Sequence, residues 1–390
     1  MRIKFKRTPL VLAAAALLAF SAAACGGDDD DDSGSAADTG GSATTAAGAD
    51  TTTAGPADTG GSGTTAAGTG TDPSGETATL RLAYFPNVTH APAIIGVENG
   101  LFQEALGSNV NLELTTFNSG TEAIEALFAE AIDASFIGPN PAINGFAQSN
   151  GEALRIVSGT TSGGASLVVR DGIDAPEDLA DATLASPSLG NTQDVALRAW
   201  LKEQGYETDT SGGGDVHVTP LENPDILAAF QQGSLDGAWV PEPWATRLIN
   251  EGGGHVLVNE ADLWPEGRFV TTHLIVATDY LEEHPDVIKG LITGLGQAVD
   301  EANSDPAGSQ QVVNDGIENI TSSRLDDATI AGAWENLEFT LDPVASSLQG
   351  SADDAIAVGL LEPVELDGIY DLTVLNEVLA ERGDEEVSGL

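Results

Sequence analysis

Cysteine occurs once in the 390 residues, at Cys25, so no intrachain disulfide can form. Positive charge is also scarce: 14 Lys and Arg stand against 61 Asp and Glu, a formal net charge of −47. Four of those cations, Arg2, Lys4, Lys6 and Arg7, fall before Thr8, and beyond them the only lysines are Lys202 and Lys289. Without a basic surface to meet phosphates, nucleic acid is excluded as a partner. The chain has no glycine-rich phosphate loop of the Walker type and no Cys/His cluster with metal-ligand spacing. His90, His217, His255, His273 and His284 are scattered, no catalytic constellation stands out, and neither a cofactor nor a metal is expected. The acid excess suits a soluble domain in a saline or acidic medium, where salt or protons weaken its self-repulsion. Compositional drift toward Asp, Glu, Gly and Ala would give the same excess.

The cationic start is followed by an apolar run from Leu10 to Phe20, the small residues Ser21 to Ala24, and then Cys25. This is the three-part layout of an export signal, and the run falls short of the ~20 residues a transmembrane helix needs. A lone cysteine after small residues and before Gly26 and Gly27 resembles the bacterial lipoprotein signal, in which the thiol is lipidated. Ala22 stands where that signal usually has leucine. Residues 1–25 are therefore expected to be a lipoprotein signal ending in a lipidated Cys25, and the chain to be exported and held on the outer face of the cytoplasmic membrane. Residues 26–77 contain almost only Ala, Gly, Ser, Thr, Asp and Pro, and the stretch 37–42 recurs as 57–62. With no large apolar side chain to bury, such a segment does not offset its ordering entropy and reads as a disordered tether. For ~50 residues its reach is on the order of 40 Å.

From Ala78 onward the composition is that of a globular protein, with a length that suits two lobes. Strand and helix signals alternate, which predicts an α/β fold. Strands are expected at 79–84, 110–117, 134–137, 154–158, 166–169, 183–185, 216–219, 236–240, 255–259 and 273–277, with helices between most of them, one of them over about 192–203. Beyond Asp279 the chain reads as mostly helical, broken at Pro285, Pro306 and Pro343. An internal echo links the halves. Ile132 to Ile137 runs into Gly-Pro-Asn-Pro, and Leu235 to Val240 runs into Pro-Glu-Pro, each after an amphipathic helix. Two related lobes facing across a cleft would place both turns at the carboxyl edge of a sheet, where α/β proteins bind ligands.

Five stretches resemble one known family. They are Tyr84 to Pro92 (YFPNVTHAP), Ser119 to Ala123 (SGTEA), Gly138 to Pro141 (GPNP), Leu189 to Gln193 (LGNTQ) and Trp239 to Trp244 (WVPEPW). In this order and spacing they resemble the aliphatic sulfonate, nitrate and taurine solute-binding proteins of ABC transporters. The resemblance implies a two-lobed type II periplasmic-binding-protein fold with a ligand cleft. One lobe would comprise 78–165 plus 273–390 and the other 166–272, hinged near Ser166 and Thr272. It also implies a monomeric binding protein, not an enzyme, that delivers a small ligand to a permease and its ATPase, with the membrane reached through the lipid alone.

Such a protein would hold an anion, an organosulfonate or a similar species, on backbone N–H groups and hydroxyls at helix starts. Ser119, Gly120 and Thr121 suit that chemistry in one lobe, and Gly190, Asn191 and Thr192 in the other. Pro139 fixes a turn that presents Asn140. Phe85, Asn87 and His90 come from the first loop, His90 offering charge or a hydrogen bond. Trp239 reads as core and Trp244 as a cleft wall. Glu242 argues against a purely anionic ligand, and would meet an amino group or face solvent. A receptor for a pyrimidine- or flavin-like ligand, stacking on Tyr84, Phe85 or Trp244, is the alternative. An enzyme or sensory ectodomain on the same fold is another; the enzyme of this fold that makes the thiamine pyrimidine uses an iron site and a cysteine-rich motif, and Cys25 stands alone.

Overall fold

The computed structural model describes residues 78–390; Cys25 and the expected export signal (1–25) and tether (26–77) lie outside the described residues. The first five strands are β1 (Ala78–Tyr84), β2 (Val110–Thr116), β3 (Ala134–Ile137), β4 (Leu154–Gly163) and β5 (Ala165–Val169). The remaining six are β6 (Thr183–Ser186), β7 (His217–Pro220), β8 (Gly237–Pro241), β9 (His255–Asn259), β10 (Val270–Ala277) and β11 (Leu337–Phe339). They form two sheets, ordered β2-β1-β3-β10-β4-β11 and β7-β6-β8-β5-β9.

The two sheets repeat one plan. In each, three parallel strands run in the order second, first, third. A strand antiparallel to them then pairs with the third: β10 in one sheet, β5 in the other. The chain passes from one sheet to the other twice, at Gly164 between β4 and β5, and between β9 and β10.

The sequence echo corresponds to a shared local structure. Asp133, just before β3, accepts the N–H of Arg81 at 2.7 Å and donates its own N–H to the Arg81 carbonyl at 2.8 Å. Asp236, just before β8, does the same with Thr183, both distances being 2.8 Å. Each aspartate thus locks the third strand onto the first at the edge opposite the turns.

Side-chain alternation places a core on both faces of each sheet. Along β10, Leu274 and Val276 join the cluster with Leu82, Phe102, Phe136 and Ile292, whereas Ile275 faces Ile137 and Ile143. Along β5, Leu167 and Val169 pack with Leu184 and Trp239, and Val168 packs with Ile226 and Phe230. Trp239 is fully buried and donates its indole N–H to Glu260 at 2.7 Å. Among the described residues no helix is long and apolar enough to cross a membrane.

Most strand and helix expectations match these elements within two or three residues. Helix Thr192–Glu203 and strand β9 match at both ends. The expected strand 154–158 instead continues to Gly163. Its added residues Thr160, Thr161 and Ser162 are polar yet buried. The Thr160 hydroxyl donates to the Thr272 carbonyl at 2.8 Å, and Ser162 accepts the Phe269 N–H at 3.3 Å, so hydroxyls replace apolar side chains there.

Candidate ligand site between the two sheets

Four helices begin where the carboxyl edges of the two sheets face each other: Gly120–Phe128 and Pro139–Gln148 from the first, Thr192–Glu203 and Asn223–Gln231 from the second. Between them lies a small chamber of about 40 Å³. A buried water needs roughly 10–15 Å³ by the same measure, so the space suits about three waters or one small anion. Phe85, Asn87, Thr89, His90, Asn118, Gly138 and Thr271 line one side. Pro187, Asn191, Thr192, Gln193, Asn223 and Pro241 line the other.

No Asp, Glu, Lys or Arg lines this chamber, in a chain carrying 61 acids. Its polarity comes from neutral groups. In none of the four helices does the N-cap side chain accept from the first turn. By helix geometry the N–H groups of Thr192 and Gln193 lack an intrahelical acceptor, and the positive dipole end faces the chamber. The buried hydroxyl of Thr192 and carbonyl oxygen of the Asn223 side chain have no hydrogen-bond partner within the described residues. Buried polar atoms left unpaired are costly, which marks these two as groups awaiting a partner.

His90 is buried and its ring stacks on Phe85, centroids 4.6 Å apart. Its Nδ1 accepts the Phe85 N–H at 3.4 Å, so the neutral ring carries its proton on Nε2. Burial pushes His90 down to about 3, and the ring therefore offers a hydrogen bond but no positive charge near neutral pH.

A second chamber of about 320 Å³ adjoins the first, sharing Phe85, Asn87, Asn118 and Asn223 with it. Phe117, Pro224, Pro243, Trp244 and Arg247 add to its wall, together with Ile317, Thr321, Ser323 and Leu325 from the helical C-terminal region. The Trp244 indole donates to Asn87 Oδ1 at 2.9 Å, tying the turn after β8 to the loop after β1.

Of the residues singled out in the sequence, Phe85, Asn87, His90, Asn191 and Thr192 come together in the small chamber, and Trp244 walls the large one. Gly190 sits at φ +72°, which glycine tolerates, and its carbonyl accepts from Asn144 at 3.4 Å. Gly120 and Pro139 are buried in the helix starts behind the walls. Ser119 is half-buried and Thr121 is exposed; neither lines a chamber, Asn118 standing there instead. Asn140 turns away and donates to the Ser351 carbonyl at 3.0 Å. Glu242 neither faces solvent nor lines a chamber. It is buried, accepts from the Thr246 N–H and hydroxyl at 3.1 and 3.0 Å and from Asn336 at 2.7 Å, and so caps the following helix. Its charge is thereby kept from a ligand. Thr89 and Gln193 lay within the quoted motifs, and Asn223 at a Pro-marked helix start, but Thr271 carries no signal of its own.

A model of one protein family matches residues 74–314, and its description is the NMT1-like family. The chain belongs to the NMT1-like family. The taurine-binding periplasmic protein of Escherichia coli is 28% identical over 198 residues, 51% of this chain and 59% of that protein. A bicarbonate transport ATP-binding protein of Synechocystis is 24% identical over 245 residues, 57% of this chain and 35% of that protein. The chain thus spans less than two thirds of the length of these relatives. The alkanesulfonate-binding protein of Xanthomonas axonopodis pv. citri, solved with MOPS bound, superposes with a TM-score of 0.61 at 20% identity, covering 74% of this chain and 96% of that one. The fold is therefore that of periplasmic binding proteins. The NMT1-like match takes in β1 to β10, whereas β11 and the wall residues from Ile317 to Leu325 lie beyond it.

Buried titratable groups give this NMT1-like domain a characteristic pH response. Burial holds His90 at about 3 and His273 at about 4, below the ordinary 6.5 of the ring. Burial also lifts Glu260 to about 7 and Asp354 to about 6, with Glu203 and Asp353 adding to the latter, and it raises Glu242. As pH falls from about 6.5 to 4.5, the unfolded chain gains protons on the two histidines and the folded chain on the carboxyls, and the two nearly cancel. Below about 4 the unfolded carboxyls are largely protonated too, His273 has reached its folded value, and His90 is the group that still favours unfolding. It removes up to about 1.4 kcal/mol per pH unit until its folded value is reached. Urea unfolding should show stability nearly level from about pH 6.5 to 5, then a fall of about 1 kcal/mol between about pH 4 and 3. A rise over that last interval would contradict the neutral burial of the His90 ring.

Proposed function

We propose that this chain is the exported solute-binding component of an ABC-type importer, a monomeric binding protein that captures an organosulfonate or a similar small anion and presents it to a permease with its ATPase. The observation that carries this reading is the small chamber with no charged side chain in a chain of net charge −47, walled by uncapped helix starts and the unpaired Thr192 hydroxyl. Helix N-termini and neutral donors hold anions without a cation. The names of the taurine- and alkanesulfonate-binding relatives support an anionic sulfonate head. The bicarbonate transport ATP-binding relative supports a place in an importer.

In this reading the bodies around the two sheets are lobes that close on the ligand, with the two crossings between sheets serving as the hinge. A lipid on Cys25 and the tether 26–77 hold the domain near the membrane. Closure supplies most of the affinity, because a protein this acidic repels an anion at long range.

Calorimetry with methanesulfonate, taurine, nitrate, a pyrimidine and a flavin tests the ligand class. The anions should bind, and Thr192→Ala should weaken them by about 1–2 kcal/mol, roughly five- to thirtyfold. Binding of only the neutral aromatic ligands would overturn the anion reading and make Trp244 the centre of the site.

A further inference from the structure

Helix Ala345–Ala357 lies along the seam between the two bodies, and helical spacing gives it two different faces. Leu348 and Ala352, four residues apart, join the core that holds Ile137 and Ile143 of the first body. Gly350, Asp354 and Ala357, at i, i+4 and i+7, turn to the second body. There the Trp264 ring lies so close that a Cβ on Gly350 would stand 2.8 Å from it, and the Lys202 ammonium donates to the Ala357 carbonyl. The helix starts beside a crossing, where the Ser347 hydroxyl accepts the Val270 N–H at 3.0 Å. Ala357 lies about 15 Å further along the axis, so opening about the crossings parts that far end most.

The far end of the seam carries an excess of acid. Asp354 is half-buried there, and the charges acting on it are those of Glu203, at the end of helix Thr192–Glu203, and of its own neighbour Asp353, both exposed. Glu260, buried after β9, also feels the charge of Asp354. The one cation at this end, Lys202, is turned to the Ala357 carbonyl. Further back along helix Thr192–Glu203, Asp194 and Arg198 neutralise each other. Helix Pro139–Gln148, which also packs on this helix, has no titratable side chain, and β10 brings His273, bonded to the Pro343 carbonyl beyond the opposite end.

Resting on the reading that the two bodies close on a ligand, we propose that this seam is an acid-sensitive latch: a proton on Asp354 removes its repulsion with Glu203 and draws the bodies together, so that the protein holds its ligand more tightly in a mildly acidic medium. With the bodies apart, Asp354 is solvated and titrates as an ordinary carboxyl. With the seam shut, burial, helped by Glu203 and Asp353, lifts it to about 6. The closed form therefore binds the proton more tightly than the open one. Closure gains as pH falls below about 6, and the gain ends near about pH 4, where the open form is protonated as well. Because helix Ala345–Ala357 lies beyond the family-matched residues, the latch is a property of this chain's own C-terminal region.

Calorimetry of the whole protein with methanesulfonate, a strong-acid anion that does not itself titrate, tests the latch at pH 7 and pH 5. Wild-type affinity should rise about three- to tenfold on acidification, less than a fully buried carboxyl would give because Asp354 is partly solvated. Asp354→Asn should already bind about three- to tenfold more tightly than wild type at pH 7 and lose most of the rise. Asp353→Asn removes the same formal charge from the exposed position beside it and should keep most of the rise. Equal pH responses in wild type and Asp354→Asn, or equal effects of the two substitutions, would overturn the latch. If methanesulfonate binds none of the three proteins, the anion reading fails and small-angle X-ray scattering of the ligand-free proteins decides the latch by itself. At pH 7 Asp354→Asn should then be more compact than wild type, and identical curves would overturn it.

Discussion

Asp194→Ala should lower the unfolding free energy by about 3–5 kcal/mol, the cost of stranding a buried charge. Arg198 is 2% exposed, and its Nε donates to both oxygens of Asp194 at 3.1 Å. Its Nη1 donates to the Asp209 carbonyl at 2.8 Å, and its Nη2 has no partner within the described residues. Removing the carboxylate leaves that guanidinium without a counter-charge in a site that water does not reach. Two further donors are orphaned with it: the Ser186 hydroxyl, now 2.6 Å from Oδ1, and the Gly190 N–H, 2.9 Å from Oδ2. Since Asp194 thereby ties down the loop leading to Asn191 and Thr192, ligand affinity should fall with stability. The exposed pairs should behave differently. Lys289 with Glu377 and Glu381 is solvated and worth about 0–1 kcal/mol, so Lys289→Ala should barely move the midpoint. Urea titration of both variants makes the comparison, and Asp194→Ala/Arg198→Met should recover part of the loss, because it removes the stranded charge while the Ser186 hydroxyl and the Gly190 N–H stay without their acceptor. A single variant within about 1 kcal/mol of wild type would mean that water reaches Arg198.

The sequence carried this fold far because local and global signals agree over most of it. Thr192 to Glu203 begins after an Asn and keeps its apolar positions at helical spacing, and its bounds were legible to the residue. What escaped has a physical pattern. Strand β4 hides its second half behind the polar Thr160, Thr161 and Ser162; Thr160 donates to the Thr272 carbonyl of β10 and Ser162 accepts the Phe269 N–H just before it, partners more than a hundred residues away. Strand β11 is three residues within a helical region and exists only because β4 offers it an edge. The site divides in the same way. Motifs located Asn191 and Thr192 because helix starts announce themselves locally. Glu242 and Asn140 stand beside such starts as well, but their side chains are claimed by Asn336 and Ser351, partners that only the tertiary structure supplies. The C-terminal wall at Ile317 and Leu325 was invisible for a related reason: in sequence these are ordinary core positions of a helix and the turn after it.

Gly138→Ala should weaken ligand binding by about 1–3 kcal/mol, roughly five- to 150-fold, while moving the unfolding free energy of the free protein by less than about 1 kcal/mol. Gly138 precedes helix Pro139–Gln148 with φ −72° and ψ 161°, extended backbone that alanine adopts freely. Space is what forbids the side chain. A Cβ on Gly138 would stand 2.6 Å from Thr192 Oγ1, across the chamber. Relief comes in one of two ways. The bodies stay a few tenths of an ångström apart, which loosens every contact with an enclosed ligand, or Thr192 turns its hydroxyl out of the chamber and the hydrogen bond is lost. Both leave the cores of the two sheets untouched, which is why binding suffers and stability does not. The clash involves a single atom, so it should vanish with that atom. With Thr192→Ala the nearest remaining neighbours are the Cβ of residue 192 and the Thr271 carbonyl oxygen, both at 3.7 Å and both ordinary contacts. In that background Gly138→Ala should therefore cost nothing further, and the two substitutions should be strongly non-additive. Calorimetry of the wild type, both single variants and the double variant against one alkanesulfonate measures the coupling. Equal losses from Gly138→Ala in both backgrounds would show that the ligand does not close Gly138 against Thr192.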